Sequence, residues 1–238
     1  MLTLSGDNCG VVGRLALLCA GASLLAGCSV LPEQAAERRT TSSAATPARS
    51  VAIARSPATA QCLTELHRTG ADYTPVPDRY AEAGCAILGS VRLASLQSDT
   101  ASLGVTNLGP VKCEVSQVFS AWARYGVDRA ARQILGSPVR NIETFGSYAC
   151  RNVAGSNRRS AHATGAAIDI SGFVLEDGRR ITVAGAWHGG TPREQQFLRV
   201  VQQSACKRFD TVLGPEYNSA HHDHLHLEGV IGTKSYCR

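Results

Sequence analysis

The sequence predicts an α+β fold: a central antiparallel sheet, helices packed on one side of it, and disulfides that staple the whole. Three observations lead there. Helical patterns come mostly first and short strands mix in later, the order of an α+β domain. Nine cysteines occur, and six of them fall beyond the N-terminal segment, an even set suited to disulfides. Two histidine-rich stretches, SAHATGAAIDI and HHDHLHLE, fall on or beside predicted strands and hold five of the seven histidines.

The N-terminus is not part of that fold. Arg14 precedes the apolar run LALLCAGASLLA, which is shorter than the roughly 20 residues needed to span a bilayer. With small residues before Cys28, residues 1–27 read as a secretory signal. LAGC resembles the bacterial lipobox. The resemblance implies cleavage before Cys28, lipidation of its sulfur and acylation of the new amino terminus, so that acyl chains hold the protein on a membrane. Ser29, in place of Asp at the sorting position, implies the periplasmic side of an outer membrane. An ordinary signal with an incidental Cys28 is the plainer alternative. Residues 28–61 are a lipid-anchored tether, rich in Ala, Ser, Thr, Arg and Pro, with too little apolar content for a core. Such a tether spans roughly 30 Å.

Residues 62–238 amount to one domain. A short helix is expected around Cys62–Thr69, then a Pro-containing loop and an extended segment near Val91–Leu96. CEVSQVFSAWARYG places Val115, Val118, Phe119 and Trp122 at helical spacing. Gly126 is expected to break that helix, with DRAARQIL helical beyond it. VRNIETFGSYACR reads as extended, with Arg151 at its end. AAIDIS and RITVAG read as strands. After Gly189–Gly190, TPRE opens a helix: Thr191 caps it, Pro192 takes its first position and Glu194 completes a capping box. Phe197, Val200, Val201 and Ala205 give that helix a buried face. FDTVLG and DHLHLE finish as strands. There is no internal repeat.

The formal net charge of +5 suits an anionic surface such as a cell envelope. No Lys/Arg cluster is interleaved with aromatics, which argues against a nucleic-acid partner. Cys9 and Cys19 lie in the signal. Cys62, Cys85, Cys113, Cys150, Cys206 and Cys237 remain, and in an exported domain they read as three disulfides. Six cysteines permit about fifteen pairings. Neighbours in order are expected: Cys62–Cys85, Cys113–Cys150 and Cys206–Cys237. None of the six forms a CxxC pair, so a cysteine-based zinc site is not expected.

The chemistry starts at Asp169. Side chains alternate along a strand, so with Ile168 and Ile170 in the core Asp169 projects from the opposite face. Gly165 and small Ala166 and Ala167 let the backbone turn closely from His162 into that strand. In DHLHLE, His224 and His226 share one face while Leu225 and Leu227 face the core, and His221 lies three residues before His224. Two imidazoles and a carboxylate with an open position suit a catalytic Zn2+.

S-x-H-x-x-G-x-A-x-D, here Ser160, His162, Gly165, Ala167 and Asp169, followed by H-x-H, resembles the superfamily of lysostaphin-type peptidases, D-Ala-D-Ala metallopeptidases and hedgehog signalling domains. The ending His221, His224, His226 looks most like penicillin-insensitive murein endopeptidases. From Cys62 to Cys237, SYACRN, FLRVVQQSACKRFDTVLGPEYNSAHHDHLHLE and the six cysteines resemble the bacterial extensin-like proteins, although nine prolines and no extensin repeat occur. The resemblance implies that His162, Asp169 and His226 bind zinc. It implies that His224 is the general base and that His221 positions water or stabilises the tetrahedral intermediate. D-Ala-D-Ala dipeptidases use a Glu base in E-x-x-H, a spacing missing before the late histidines here; Glu216 is five residues before His221. That departure supports a histidine base.

Plainer readings stand beside these. A structural metal site is usually closed by four protein ligands, and His221 or His222 could be the fourth. A surface histidine cluster with no metal is another. Arg151 is either an ordinary exposed arginine or a bidentate partner for a substrate carboxylate. Ser160 binds substrate or only caps the turn into His162. His188 matches no motif position, and Trp122 and Trp187 read as packing. The function expected is zinc-dependent hydrolysis of peptidoglycan stem peptides or cross-links, as endopeptidase or carboxypeptidase. The rivals are a non-catalytic zinc-containing module that binds peptidoglycan or protein, and an exported assembly factor.

Overall fold

The computed structural model describes residues 56–81 and 83–238. The predicted signal, Cys28 and the tether up to residue 55 lie outside the described residues. Among the described residues no helix is long and apolar enough to cross a membrane.

Helix α1 spans Pro57–Arg68. Ser56 caps it by accepting from the Thr59 amide at 3.1 Å, and Pro57 takes its first position. The helix therefore starts within the stretch assigned to the tether, which corrects the expected start at Cys62. Six strands follow: β1 Asp72–Pro75, β2 Arg79–Tyr80, β3 Ala86–Ile87, β4 Ser90–Gln97, β5 Ser102–Thr106 and β6 Pro110–Lys112. Helix α2 is Cys113–Trp122, and the chain continues through wide π turns at Ala123–Asp128 and Ala131–Leu135. Gly126 does not break it. A Cβ there would collide with Ser204, so glycine serves close packing instead. The helical run ends at Gly136, whose φ of +74° is left-handed.

Strands β7 (Val139–Gly146), β8 (Ala167–Leu175) and β9 (Arg180–Thr182) follow. RITVAG is a strand only to Thr182. The Thr182 hydroxyl then accepts from the Gly185 amide at 3.1 Å and starts helix α3, Val183–Gly189. Helix α4, Pro192–Ala205, carries the expected capping box of Thr191 and Glu194. Strands β10 (Thr211–Leu213), β11 (Leu225–Glu228) and β12 (Tyr236–Cys237) finish the chain.

The main sheet runs β1-β4-β5-β7-β8-β11-β10-β12, with β6 beside β4 and β9 beside β8. It is mixed and largely antiparallel, which corrects the fully antiparallel expectation. β5 and β7 are parallel because β6, α2 and the π turns form the long crossover such a pair needs. β10 and β12 are also parallel. The core lies against the sheet face that carries Ile168, Ile170, Leu225 and Leu227. Phe119 and Trp122 of α2 and Phe197 and Val201 of α4 are fully buried in it. Burial stabilises by about 1.5–3 kcal/mol for each large apolar side chain. The Trp122 indole donates to the Val201 carbonyl at 2.9 Å and locks α2 to α4.

The disulfides are Cys62–Cys113, Cys85–Cys150 and Cys206–Cys237. The first two replace the expected Cys62–Cys85 and Cys113–Cys150. α1 packs on α2, which brings Cys62 to the first turn of α2, with Cα atoms 6.1 Å apart. Cys85, just before β3, meets the loop after β7 instead.

Candidate metal centre

Two neighbouring strands set the floor of the site. β8 and β11 are antiparallel, with Asp169 opposite His226 and with Ile168 opposite Leu227 and Ile170 opposite Leu225. Alternation turns the apolar pairs into the core and the polar pair out together. His162 arrives from a single 3-10 turn, Ala161–Thr164. The Ser160 hydroxyl caps it, accepting from the His162 amide at 3.4 Å. Gly165 ends it with a φ of +64°, and a Cβ there would sit 3.1 Å from the Pro110 carbonyl. Gly165 thus serves both the left-handed turn and the close approach that bring His162 to Asp169.

His162 Nε2 lies 3.2 Å from Asp169 Oδ2 and 3.2 Å from His226 Nδ1. His226 Nδ1 lies 2.9 Å from Asp169 Oδ1. Exposure is 2% for His162, 7% for His226 and 9% for Asp169, so bulk water competes little for these donors. His162 Nδ1 donates to the Ser147 carbonyl at 3.0 Å. A carbonyl only accepts, so the proton is on Nδ1 and the Nε2 lone pair faces the centre. Ser147 is itself held, its hydroxyl donating to the Leu108 carbonyl at 2.7 Å.

Burial opposes the charge on Asp169, yet its close contacts with His162 and His226 hold its carboxyl well below the ordinary range. Burial also opposes a cation at His226, but Asp169 and Glu228 together raise its pKa to about 9. The ligand atoms of His162, Asp169 and His226 all lie within 4.8 Å of one another, and the three could hold a metal ion. Two nitrogens and one oxygen suit a borderline divalent cation.

The rim comes from outside the paired strands: His221 ends a 3-10 turn, Ser219–His221. β11 begins one residue after His224, so that histidine is not in the strand, although it does share the face of His226. His224 Nε2 is 3.6 Å from Asp169 Oδ1, and its Nδ1 donates to Asp223 Oδ1 at 2.8 Å. The Phe145 ring stands edge-on to it, centroids 5.9 Å apart. The His221 ring is 5.1 Å from that of His224 and 5.8 Å from that of His226. His221 Nδ1 donates to Asn218 Oδ1 at 2.7 Å. Burial first, then the cationic tendency of His224 and His226, pushes the pKa of His221 down to about 4. His222 turns away, its side chain 71% exposed, and neither it nor His221 belongs to the metal-holding group.

His226 of the triad lines a cleft of about 380 Å3 together with His221 and His224. Arg151 and Ser160 line it as expected, Arg151 from an irregular loop that follows β7 and not from a strand. Arg158, Tyr217 and Tyr236 line it too. His188 closes α3, outside the cleft. Four partners escaped sequence reasoning. Asp223 and Asn218 orient His224 and His221. Ser147 acts through its backbone and leaves no signal. Glu228 Oε2 lies 3.1 Å from His226 Nε2; its position two residues after His226 on a strand was the signal that could have found it.

The family described as Extensin-like protein C-terminus matches residues 60–238. Comparison with curated proteins and with solved structures finds no match.

Proposed function

The chain belongs to the extensin-like C-terminus family, and on that premise we propose that it hydrolyses peptide bonds in peptidoglycan stem peptides or their cross-links, with Zn2+ as cofactor. The observation that carries the reading is His224: an imidazole beside the triad, fixed by a carboxylate, with its free nitrogen towards Asp169. Binding alone requires only the three ligands. When bound by His162, Asp169 and His226, zinc supplies Lewis acidity, polarising a carbonyl and making water more acidic.

The remaining work falls to side chains. With Nδ1–H given to Asp223, His224 has its lone pair on Nε2. That atom takes the proton of the attacking water as its oxygen adds to the scissile carbonyl carbon. It returns the proton to the amine nitrogen as the C–N bond breaks. His221, neutral because of its lowered pKa and with its own proton given to Asn218, offers a bare Nε2. It is therefore suited to orient the water as an acceptor and poorly suited to donate to an oxyanion. Arg151 and Arg158 line the cleft and form no salt bridge among the described residues. A substrate carboxylate is the natural partner for a planar guanidinium. The three disulfides suit an oxidising compartment, and the proposed setting is the periplasm, with a lipid at Cys28 as the anchor.

The test is digestion of cross-linked muropeptides by the oxidised, zinc-loaded protein, read by chromatography and mass. Loss of cross-linked species, abolished by a chelator and restored by zinc, is expected. Intact muropeptides beside one bound equivalent of zinc would refute hydrolysis.

A further inference from the structure

The two histidines of the triad are held in different ways. A neutral imidazole has one ring proton, and the nitrogen that keeps it cannot ligate. For His162 the choice is made by the backbone, because the Ser147 carbonyl accepts from Nδ1 at 3.0 Å. For His226 both nitrogens face carboxylates: Nδ1 is 2.9 Å from Asp169 Oδ1 and Nε2 is 3.1 Å from Glu228 Oε2. With the proton on Nδ1, His226 donates to Asp169 and its lone pair points away from the centre. With the proton on Nε2, it donates to Glu228 and its Nδ1 lone pair joins His162 Nε2 and Asp169. Only the second arrangement completes a three-ligand site.

We propose that Glu228 is the positioning residue that selects the metal-ligating tautomer of His226 and so sets the metal affinity of the site. The proposal rests on the metal reading of the triad and not on hydrolysis. The strand explains how Glu228 reaches its place. It follows His226 by two residues, so both side chains leave β11 on the same face. Its cross-strand neighbour on β8 is Ala167, whose methyl leaves room for the longer side chain to lean back over the imidazole. Glu228 is not among the residues whose ligand atoms converge on the centre. Its side chain is 34% exposed, so it keeps part of its hydration while it accepts from Nε2. Carboxylate partners of this kind fix a ligating imidazole in orientation and raise its basicity.

The test is a chelator-competition zinc titration of the oxidised protein and of Glu228→Ala and Glu228→Gln, with ring 15N NMR of His226. Glu228→Ala is expected to weaken zinc binding by roughly 10- to 100-fold. Glu228→Gln, whose amide oxygen still accepts from Nε2, loses less. In the metal-free proteins, measured above pH about 9 where the His226 ring is neutral, the wild type should carry more of the Nε2–H tautomer than Glu228→Ala, which should shift towards Nδ1–H. A residue that merely braced the strand would change thermal stability and leave both readouts alone. Zinc affinity of Glu228→Ala within about twofold of wild type would overturn the proposal, as would an unchanged tautomer. Failure of the wild type to bind zinc would overturn the metal reading with it, and that result is visible before any variant is made.

Discussion

His162, Asp169 and His226 are at most 9% exposed, and each is held by a paired strand or a capped turn. His224 and Arg151 stand on irregular segments at the cleft and His221 ends a short 3-10 turn, Ser219–His221; the two histidines are oriented by single side-chain contacts with Asn218 and Asp223. The floor is thus organised before any ligand arrives, as a metal site requires. The rim can adjust by a rotamer, as a group that accepts and returns a proton must. The difference predicts that damage to the two regions separates into two phenotypes. Floor variants lose metal, whereas rim variants keep metal and lose turnover.

The largest effect is expected at Asp169. Asp169→Ala removes one ligand and leaves the buried His226 without its carboxylate partner at Nδ1. Metal analysis should find no stoichiometric zinc and digestion should stop. Calorimetry of the metal-free variant should show a loss of about 1.5–3 kcal/mol, the scale of a hydrogen bond to a charged group. Retained zinc in Asp169→Ala would erase the distinction between floor and rim. Removal of the His224 imidazole comes next, at about 10²- to 10⁴-fold in turnover, the usual contribution of a general base.

The disulfides sharpen the comparison. Cys85–Cys150 ties down the loop that bears both Arg151 and the Ser147 carbonyl, whereas Cys62–Cys113 joins two helices away from the cleft. Replacing either pair with alanines should cost about 2–5 kcal/mol in denaturant unfolding. Only the Cys85/Cys150 pair should also raise KM. Arg151→Lys, which keeps the charge and loses the planar fork, should raise KM by a few-fold with zinc content unchanged.

The smallest effect is on pH dependence. In the metal-free protein His226 is raised from 6.5 to about 9 by Asp169 and Glu228, against the opposing effect of burial. Its contribution to stability is complete below about 6.5 and is lost as pH rises through about 9. Asp169 and Glu228 are lowered, so their contributions are present above their ordinary values of 3.8 and 4.5 and are lost on acidification. His221 is lowered from 6.5 to about 4, so its contribution is present above 6.5 and is lost as pH falls towards 4; melting of the metal-free protein should therefore be highest near pH 6.5. Zinc affinity should run the other way and rise with pH, because ligation needs the free Nδ1 lone pair.

Much of the floor was legible in the sequence because strand alternation is a strict rule. A carboxylate between two isoleucines and a histidine between two leucines can only leave the core face, and Gly165 marks the turn that joins them. The capping box at Thr191 was legible for the same local reason. What failed depended on tertiary packing. The cysteine pairs follow from α1 lying on α2, which no spacing records. Gly126 reads as a helix breaker and is instead a contact with Ser204. Val183 and Ala184 read as part of a strand and instead start a helix that Thr182, the last strand residue, caps. Asp223 and Glu228 lay in plain view beside the histidines they hold, but which ring nitrogen each one faces is a matter of rotamers.

The most direct measurement sets zinc content and muropeptide turnover side by side for wild type and His224→Ala. The account predicts one equivalent of zinc in both and hydrolysis by the wild type alone. Equal turnover by the two proteins would remove the rim histidine from the chemistry. Zinc in both with turnover in neither would make the cleft a binding site.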